Sequence, residues 1–147
     1  MIRSFRTIFS IIVLSLVLAC SGSPKGESGV AGNSSNMNEP KYPDLKLIED
    51  FFDFGSIVEG EAVSHTFHFR NAGNEVLIIK DLIPDCGCTQ PKIDKREYNP
   101  GEEGSVEVIF NSKGWFGSQY KSVTLRTNSP NREKSVTIKA NVLEPKE

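Results

Sequence analysis

From about Leu45 onward the polarity of the chain repeats every two residues. Val63, His65, Phe67 and Phe69 alternate with Ser64, Thr66, His68 and Arg70, the pattern of a strand with one buried face. Val106, Val108 and Phe110 repeat it. So do Val123 and Leu125 against Thr124 and Arg126, and Val136, Ile138, Ala140 and Val142 against Thr137, Lys139 and Asn141. Val76-Leu77-Ile78-Ile79 is a continuous apolar run, which predicts a strand covered on both faces. An opening strand is expected around Leu47 to Phe54 and a short one near Pro91 to Ile93. Turn-forming clusters punctuate these runs: Asn71-Ala72-Gly73-Asn74, Pro84-Asp85, Asn99-Pro100-Gly101, Gly114 to Gly117, and Ser129-Pro130-Asn131. No long window carries a helical apolar stripe. About seven short strands in roughly 100 residues predict an all-β, immunoglobulin-like sandwich, with a small barrel as the alternative.

The first residues follow a different logic. Arg3 and Arg6 precede an apolar run from Ile8 to Ala19, too short and wrongly flanked for a spanning helix but suited to an export signal. Val17-Leu18-Ala19-Cys20 resembles the bacterial lipobox, with Leu18 bulkier than usual at its position. That match predicts a signal peptide over residues 1–19 and lipidation at Cys20, so that fatty chains rather than a helix attach the protein to a membrane. Ser21 follows, with no aspartate to act as an inner-membrane retention signal. The expected location is therefore the cell envelope, on the outer membrane facing the periplasm.

Residues 20–44 are rich in Ser, Gly, Asn and Pro and nearly empty of large apolar groups, so they read as a lipidated cysteine followed by a flexible tether. About 20 such residues reach roughly 25 Å. The remainder, 45–147, has room for one core and forms the sandwich domain. Loss of the signal would lower Lys+Arg from 17 to 15, because Arg3 and Arg6 go, against 19 Asp+Glu. The resulting net charge of about −4 leaves no electrostatic footprint for nucleic acid.

Several motifs inside the domain belong together. Phe52-Asp53-Phe54-Gly55-Ser56-Ile57 is followed by Glu59-Gly60-Glu61, then by His65-Thr66-Phe67-His68-Phe69-Arg70-Asn71-Ala72-Gly73. Next come Asp85-Cys86-Gly87-Cys88-Thr89, Asn99-Pro100-Gly101 and Thr127-Asn128-Ser129. In order and spacing they resemble a bacterial envelope family known as Domain of Unknown Function 1573, over about Phe51 to Val142. The resemblance implies an Ig-like sandwich related to pilus-chaperone domains and to modules of ciliary and sperm proteins. It implies no activity.

The Cys-Gly-Cys-Thr centre is the chief chemical feature. With Cys20 lipidated, Cys86 and Cys88 remain as a pair in an oxidising compartment. Residues two apart meet disulfide geometry only on a turned backbone, for which Gly87 offers freedom. The ring would be so small that its entropic benefit falls well below the usual range of about 2–4 kcal/mol. Four readings stay open: packed or turn cysteines, reduced or loosely paired; a partner-facing loop, Cys86, Gly87, Cys88 and Thr89, stiffened by a local disulfide; a dithiol redox site; and a soft-metal site for copper or zinc. The metal reading has only Cys86 and Cys88 as ligands, because His65 and His68, three apart on a strand, point to opposite faces. The redox reading has Asp85 as neighbour, a group that raises a thiol pKa, and no cation nearby in sequence.

Trp115 and Phe116 sit in the turn Lys113–Gly117 as candidate partner-binding aromatics, unless one folds back to plug the sandwich end. No nucleophile elbow, zinc-protease helix motif, phosphate loop or dinucleotide fingerprint is present. The expectation is a non-enzymatic module that needs no cofactor, is held by its lipid, and binds an envelope protein. The alternative is a periplasmic thiol-redox or copper/zinc-binding protein using Cys86 and Cys88.

Overall fold

The computed structural model describes residues 40–146. The expected signal segment, Cys20 and most of the expected tether lie outside the described residues. Within them run nine strands: β1 (Leu45–Leu47), β2 (Phe51–Val58), β3 (Ala62–Asn71), β4 (Leu77–Pro84), β5 (Thr89–Ile93), β6 (Glu97–Tyr98), β7 (Glu103–Asn111), β8 (Gly117–Thr127) and β9 (Glu133–Leu143). They form two sheets, ordered β1-β3-β7-β5 and β2-β9-β8-β4-β6. Neighbours are antiparallel except β2 and β9, which run parallel. The alternating residues of β3, β7, β8 and β9 meet between the sheets, where Phe67, Phe69, Phe110 and Leu125 are completely buried. This is the all-β sandwich that the period-two pattern predicts.

Two strand expectations need correction, and one strand was not anticipated. Leu47 to Phe54 is not one strand: β1 belongs to one sheet and β2 to the other. The chain crosses between them at Ile48–Asp50, where the Ile48 amide donates to His68 O and Asp50 O accepts from the Thr137 amide. A run that serves two sheets cannot keep one inward parity, and Ile48 is left 64% exposed. The apolar run Val76–Ile79 is not covered on both faces. Leu77 and Ile79 point inward, Ile78 is half-covered, and Val76 is exposed ahead of the strand. The unanticipated strand is β6, two residues that pair with Leu77 and Ile78 of β4 and seat Tyr98 in the core.

The packed body also begins before Leu45, inside the stretch expected to be tether. The Tyr42 amide donates to Asn74 Oδ1 (2.8 Å), the Asn74 amide donates back to Tyr42 O (3.0 Å), and the Ala72 amide donates to Asp44 O (2.8 Å). Pro43 is buried there. This crossing is possible because position 73 is glycine: a Cβ on Gly73 would collide with Tyr42 O and the Asp44 amide. Asn71 fastens the junction from below, with all four side-chain hydrogen bonds made inside the protein.

Candidate functional site

Strand register decides where the candidate residues meet. Thr89 at the start of β5 pairs with Phe110 near the end of β7, and Pro84 at the end of β4 pairs with Val123 of β8. The β4–β5 loop, carrying Cys86 to Cys88, and the β7–β8 loop, carrying Trp115 and Phe116, therefore share one end of the sandwich. The β2–β3 turn joins them, since Ala62 pairs with Asn111. The segment Tyr42–Asp44 docks at the opposite end, beside the β3–β4 loop. Two motifs far apart in sequence are thus brought to one surface, across the length of the domain from where the chain comes in.

The β4–β5 loop is anchored on both sides. The Asp85 amide donates to Ser122 O (3.0 Å), and Asp85 Oδ2 accepts from the Ser122 amide (2.8 Å). The carboxylate that adjoins Cys86 in sequence is thereby occupied by β8. On the far side the Asn111 amide donates to Cys88 O (3.0 Å), and the turn closes by the Thr89 amide donating to Cys86 O (3.2 Å). Cys86 and Cys88 are disulfide-bonded, with Cα atoms 5.3 Å apart. Thr89 is buried, and its Oγ1 lies 3.4 Å from Cys86 Sγ and 3.8 Å from Cys88 Sγ. Gly87 does not supply the turned backbone in the way expected. Its φ is not positive, and a Cβ there would meet open space.

The β7–β8 loop is braced from within. Ser112 is fully buried; its amide donates to Glu61 O (2.9 Å), and its hydroxyl lies 2.8 Å from that carbonyl and 3.1 Å from Val58 O. The Gly114 amide donates to Glu59 Oε1 (2.7 Å) and the Trp115 amide to Ser112 O (2.9 Å). The two aromatics then part. Trp115 folds back against the core, with Lys121 Nζ 3.5 Å from its ring centroid. Lys121 is itself buried, donates to Gln119 Oε1 (3.2 Å), and lies 5.8 Å from the Phe110 ring. A cation held against two aromatic faces gains electrostatically without a carboxylate partner. Phe116 remains 54% exposed.

Phe116 is not alone. Phe116 immediately precedes Gly117, which pairs with Val142, and the next residue of β9, Leu143, pairs with Val58 of β2. Phe116, Leu143 and Val58 are exposed, as is Tyr120 on the same strand as Gly117. The row runs past the start of β8 and the ends of β9 and β2, at the end that carries the disulfide. Sequence reading missed this row, because its members come from three separate segments. It also missed Lys121, although the inward parity of Lys121, Val123 and Leu125 marks that lysine as out of place on a buried face.

His65 and His68 fall as their parity requires. His65 is half-buried, stacked on Phe52 at 3.7 Å between centroids and bonded through Nε2 to Glu49 Oε1 (2.9 Å); His68 is exposed. Among the described residues no group of three His, Cys, Asp or Glu side chains converges as a metal cage.

These features define an immunoglobulin-like sandwich of the PapD-like kind. A protein of unknown function from Porphyromonas gingivalis W83 superposes with a TM-score of 0.61 at 18% identity, over 74% of this chain and 51% of that one. The PapD-like domain 7 of human CEP192 gives 0.54 at 9% identity, over 82% of this chain and 100% of that domain. The YadV chaperone gives 0.51 at 9%, over 67% and 52%. At such identities the likeness shows the fold alone, and the chain spans about half the length of the Porphyromonas protein. The chain belongs to the DUF1573 family, whose description is Protein of unknown function; the family model matches residues 45–142. No curated protein matches the sequence.

Proposed function

We propose that this protein is a non-catalytic envelope lipoprotein, anchored through lipid on Cys20 at the outer membrane, whose sandwich binds another envelope protein. The observation that carries the reading is the meeting of the disulfide loop, the Phe116 loop and the Val58–Leu143 pair at one end, while Tyr42–Asp44 docks at the other. A domain held by a tether at its N-terminal side leaves the opposite end clear of the point of attachment. Exposed apolar side chains gathered there have no covering partner among the described residues, and an aromatic among them is the residue type that most often dominates protein contacts.

Phe116 separates binding from stability. Phe116→Ala should weaken partner capture about tenfold, a loss typical of an aromatic anchor, while thermal stability stays near wild type because the ring is exposed. The test places a photocrosslinking residue at Phe116 or Gly87 in cells and identifies adducts by mass spectrometry. Absence of a discrete adduct at both positions, with adducts appearing instead at the Tyr42 end, would overturn the assignment of the surface. Cys20→Ala in the same strain should move the protein out of the membrane fraction.

The disulfide is part of the proposed surface, and Cys88 also packs against the core. Replacing both Cys86 and Cys88 with Ser should cost no more than about 1.5 kcal/mol in urea unfolding, since a ring of this size constrains little unfolded chain. A loss of 3 kcal/mol or more (roughly the worth of a long-loop disulfide) would make the bond structural.

A further inference from the structure

The two sulfurs of the Cys86–Cys88 bond have different surroundings. Cys86 Sγ accepts from the Cys88 amide at 3.2 Å and lies 3.4 Å from the Thr89 hydroxyl. Among the described residues Cys88 Sγ has only that hydroxyl, at 3.8 Å. Donors aimed at a sulfur stabilise its thiolate, as backbone and hydroxyl donors do for other developing anions. Cys88 is half-buried against the core and lines a groove. That groove, of about 390 Å³ beside the loop, is lined by Gly87 and Cys88, together with Ala62, Gln90, Asn111 and Lys113, and does not include Cys86. Lys113 puts a cation on the path of an arriving anion. The bare Gly87 leaves that path open.

We propose that Cys86–Cys88 is a thiol–disulfide exchange site of fixed polarity, attacked at Cys88 and leaving from Cys86. A partner's thiolate brings its electron pair to Cys88 Sγ from the groove and forms a new S–S bond. The Cys86–Cys88 bond breaks, and its pair stays on Cys86 as a thiolate held by the Cys88 amide and Thr89 hydroxyl until it takes a proton from water. A second thiolate on the partner then attacks the partner's own sulfur in the mixed disulfide and releases Cys88. The partner dithiol is oxidised by two electrons to a disulfide, and the Cys86/Cys88 pair is reduced by two. The substrate class is a dithiol protein, or a small thiol supplied twice. The small ring contributes little to the fold, so opening it leaves the domain standing.

The proposal rests on the partner-binding reading only for who carries the attacking thiol, and glutathione tests the chemistry without any partner. Full-length protein is mixed with reduced glutathione, quenched with acid at early times, alkylated and digested. Cys86 and Cys88 then lie in one peptide, where fragmentation assigns each adduct. Glutathione should reside on Cys88 and the alkyl group on Cys86 about tenfold over the reverse, because exchange favours the better-stabilised leaving thiolate. Thr89→Val, which keeps the shape and removes the hydroxyl, should pull that ratio toward unity and slow the reaction several-fold. Equal or reversed partition overturns the proposal, as does a disulfide that stays closed while an exposed control disulfide is reduced. So does a Thr89→Val protein of normal stability with an unchanged ratio. An inert disulfide alongside a crosslinked partner at Phe116 would defeat exchange and leave binding intact; brisk exchange with no crosslinked partner would do the opposite.

Discussion

Asn71→Ala should lower the unfolding free energy by about 3 kcal/mol, more than any exposed substitution at the candidate site. Asn71 is completely buried and uses every hydrogen-bonding position of its amide. Oδ1 accepts from the Gly73 amide (3.0 Å) and the Asp44 amide (3.3 Å), while Nδ2 donates to Glu75 O (2.8 Å) and Tyr98 O (3.0 Å). One side chain therefore ties together the N-terminal segment, the β3–β4 loop and β6. Truncation leaves four backbone groups short of a partner, and even with water reaching some of them the penalty sums to about this size. Asn71→Asp should be worse than Asn71→Ala at neutral pH, because a carboxylate would face the Glu75 and Tyr98 carbonyls. Burial and those carbonyls raise the folded-state pKa of that carboxyl, so its neutral form is favoured and stability should recover as pH falls. Urea denaturation of both variants across pH checks this. A loss below about 1 kcal/mol for Asn71→Ala would show that water replaces the clamp.

That clamp illustrates what sequence does and does not disclose. Asn71-Ala72-Gly73 reads as a turn signal, and a turn does lie there. Its greater role, seating Tyr42–Asp44 over Gly73, involves partners up to 27 positions away in the chain, which no local pattern contains. The long strands β3, β7, β8 and β9 were legible because each buries one face, and burial of one face writes itself as alternation. β6 was not, since its lone aromatic, Tyr98, stands among Lys95, Arg96, Glu97 and Asn99. The site was legible in its parts. The Cys-Gly-Cys loop and the aromatic turn were visible separately, but their common end follows from pairing registers, and so does the place of Lys113 in the groove that Cys88 also lines. Local pattern gives elements. Only topology gives neighbours.

Tyr98→Phe should cost about 2 kcal/mol at neutral pH and remove a distinctive alkaline weakening of the wild type. The ring is fully buried against Phe69, 4.9 Å between centroids, and its single hydroxyl proton is shared between Asp94 Oδ1 (3.0 Å) and Lys95 O (2.8 Å). A hydrogen bond to a charged group accounts for a loss of roughly this size. Burial, first, and the Asp94 carboxylate, second, push the phenol well above its ordinary range. For an acid whose folded-state pKa is raised, the stabilisation is fully present below the unfolded value and declines above it. As pH climbs past about 10, the unfolded chain sheds this proton while the folded chain keeps it, and stability falls by about 1.4 kcal/mol per pH unit from this group. The advantage of wild type over Tyr98→Phe should therefore shrink steadily above that pH. Tyrosinate absorbance offers an independent check: one of the three tyrosines of the chain should stay protonated in the folded wild type at a pH where unfolding ionises it, and that step should vanish in Tyr98→Phe. If the gap between the two proteins stays constant through the alkaline range, the phenol is not held in the core as a proton donor, and the tie between β6 and the Asp94–Lys95 turn is a packing contact alone.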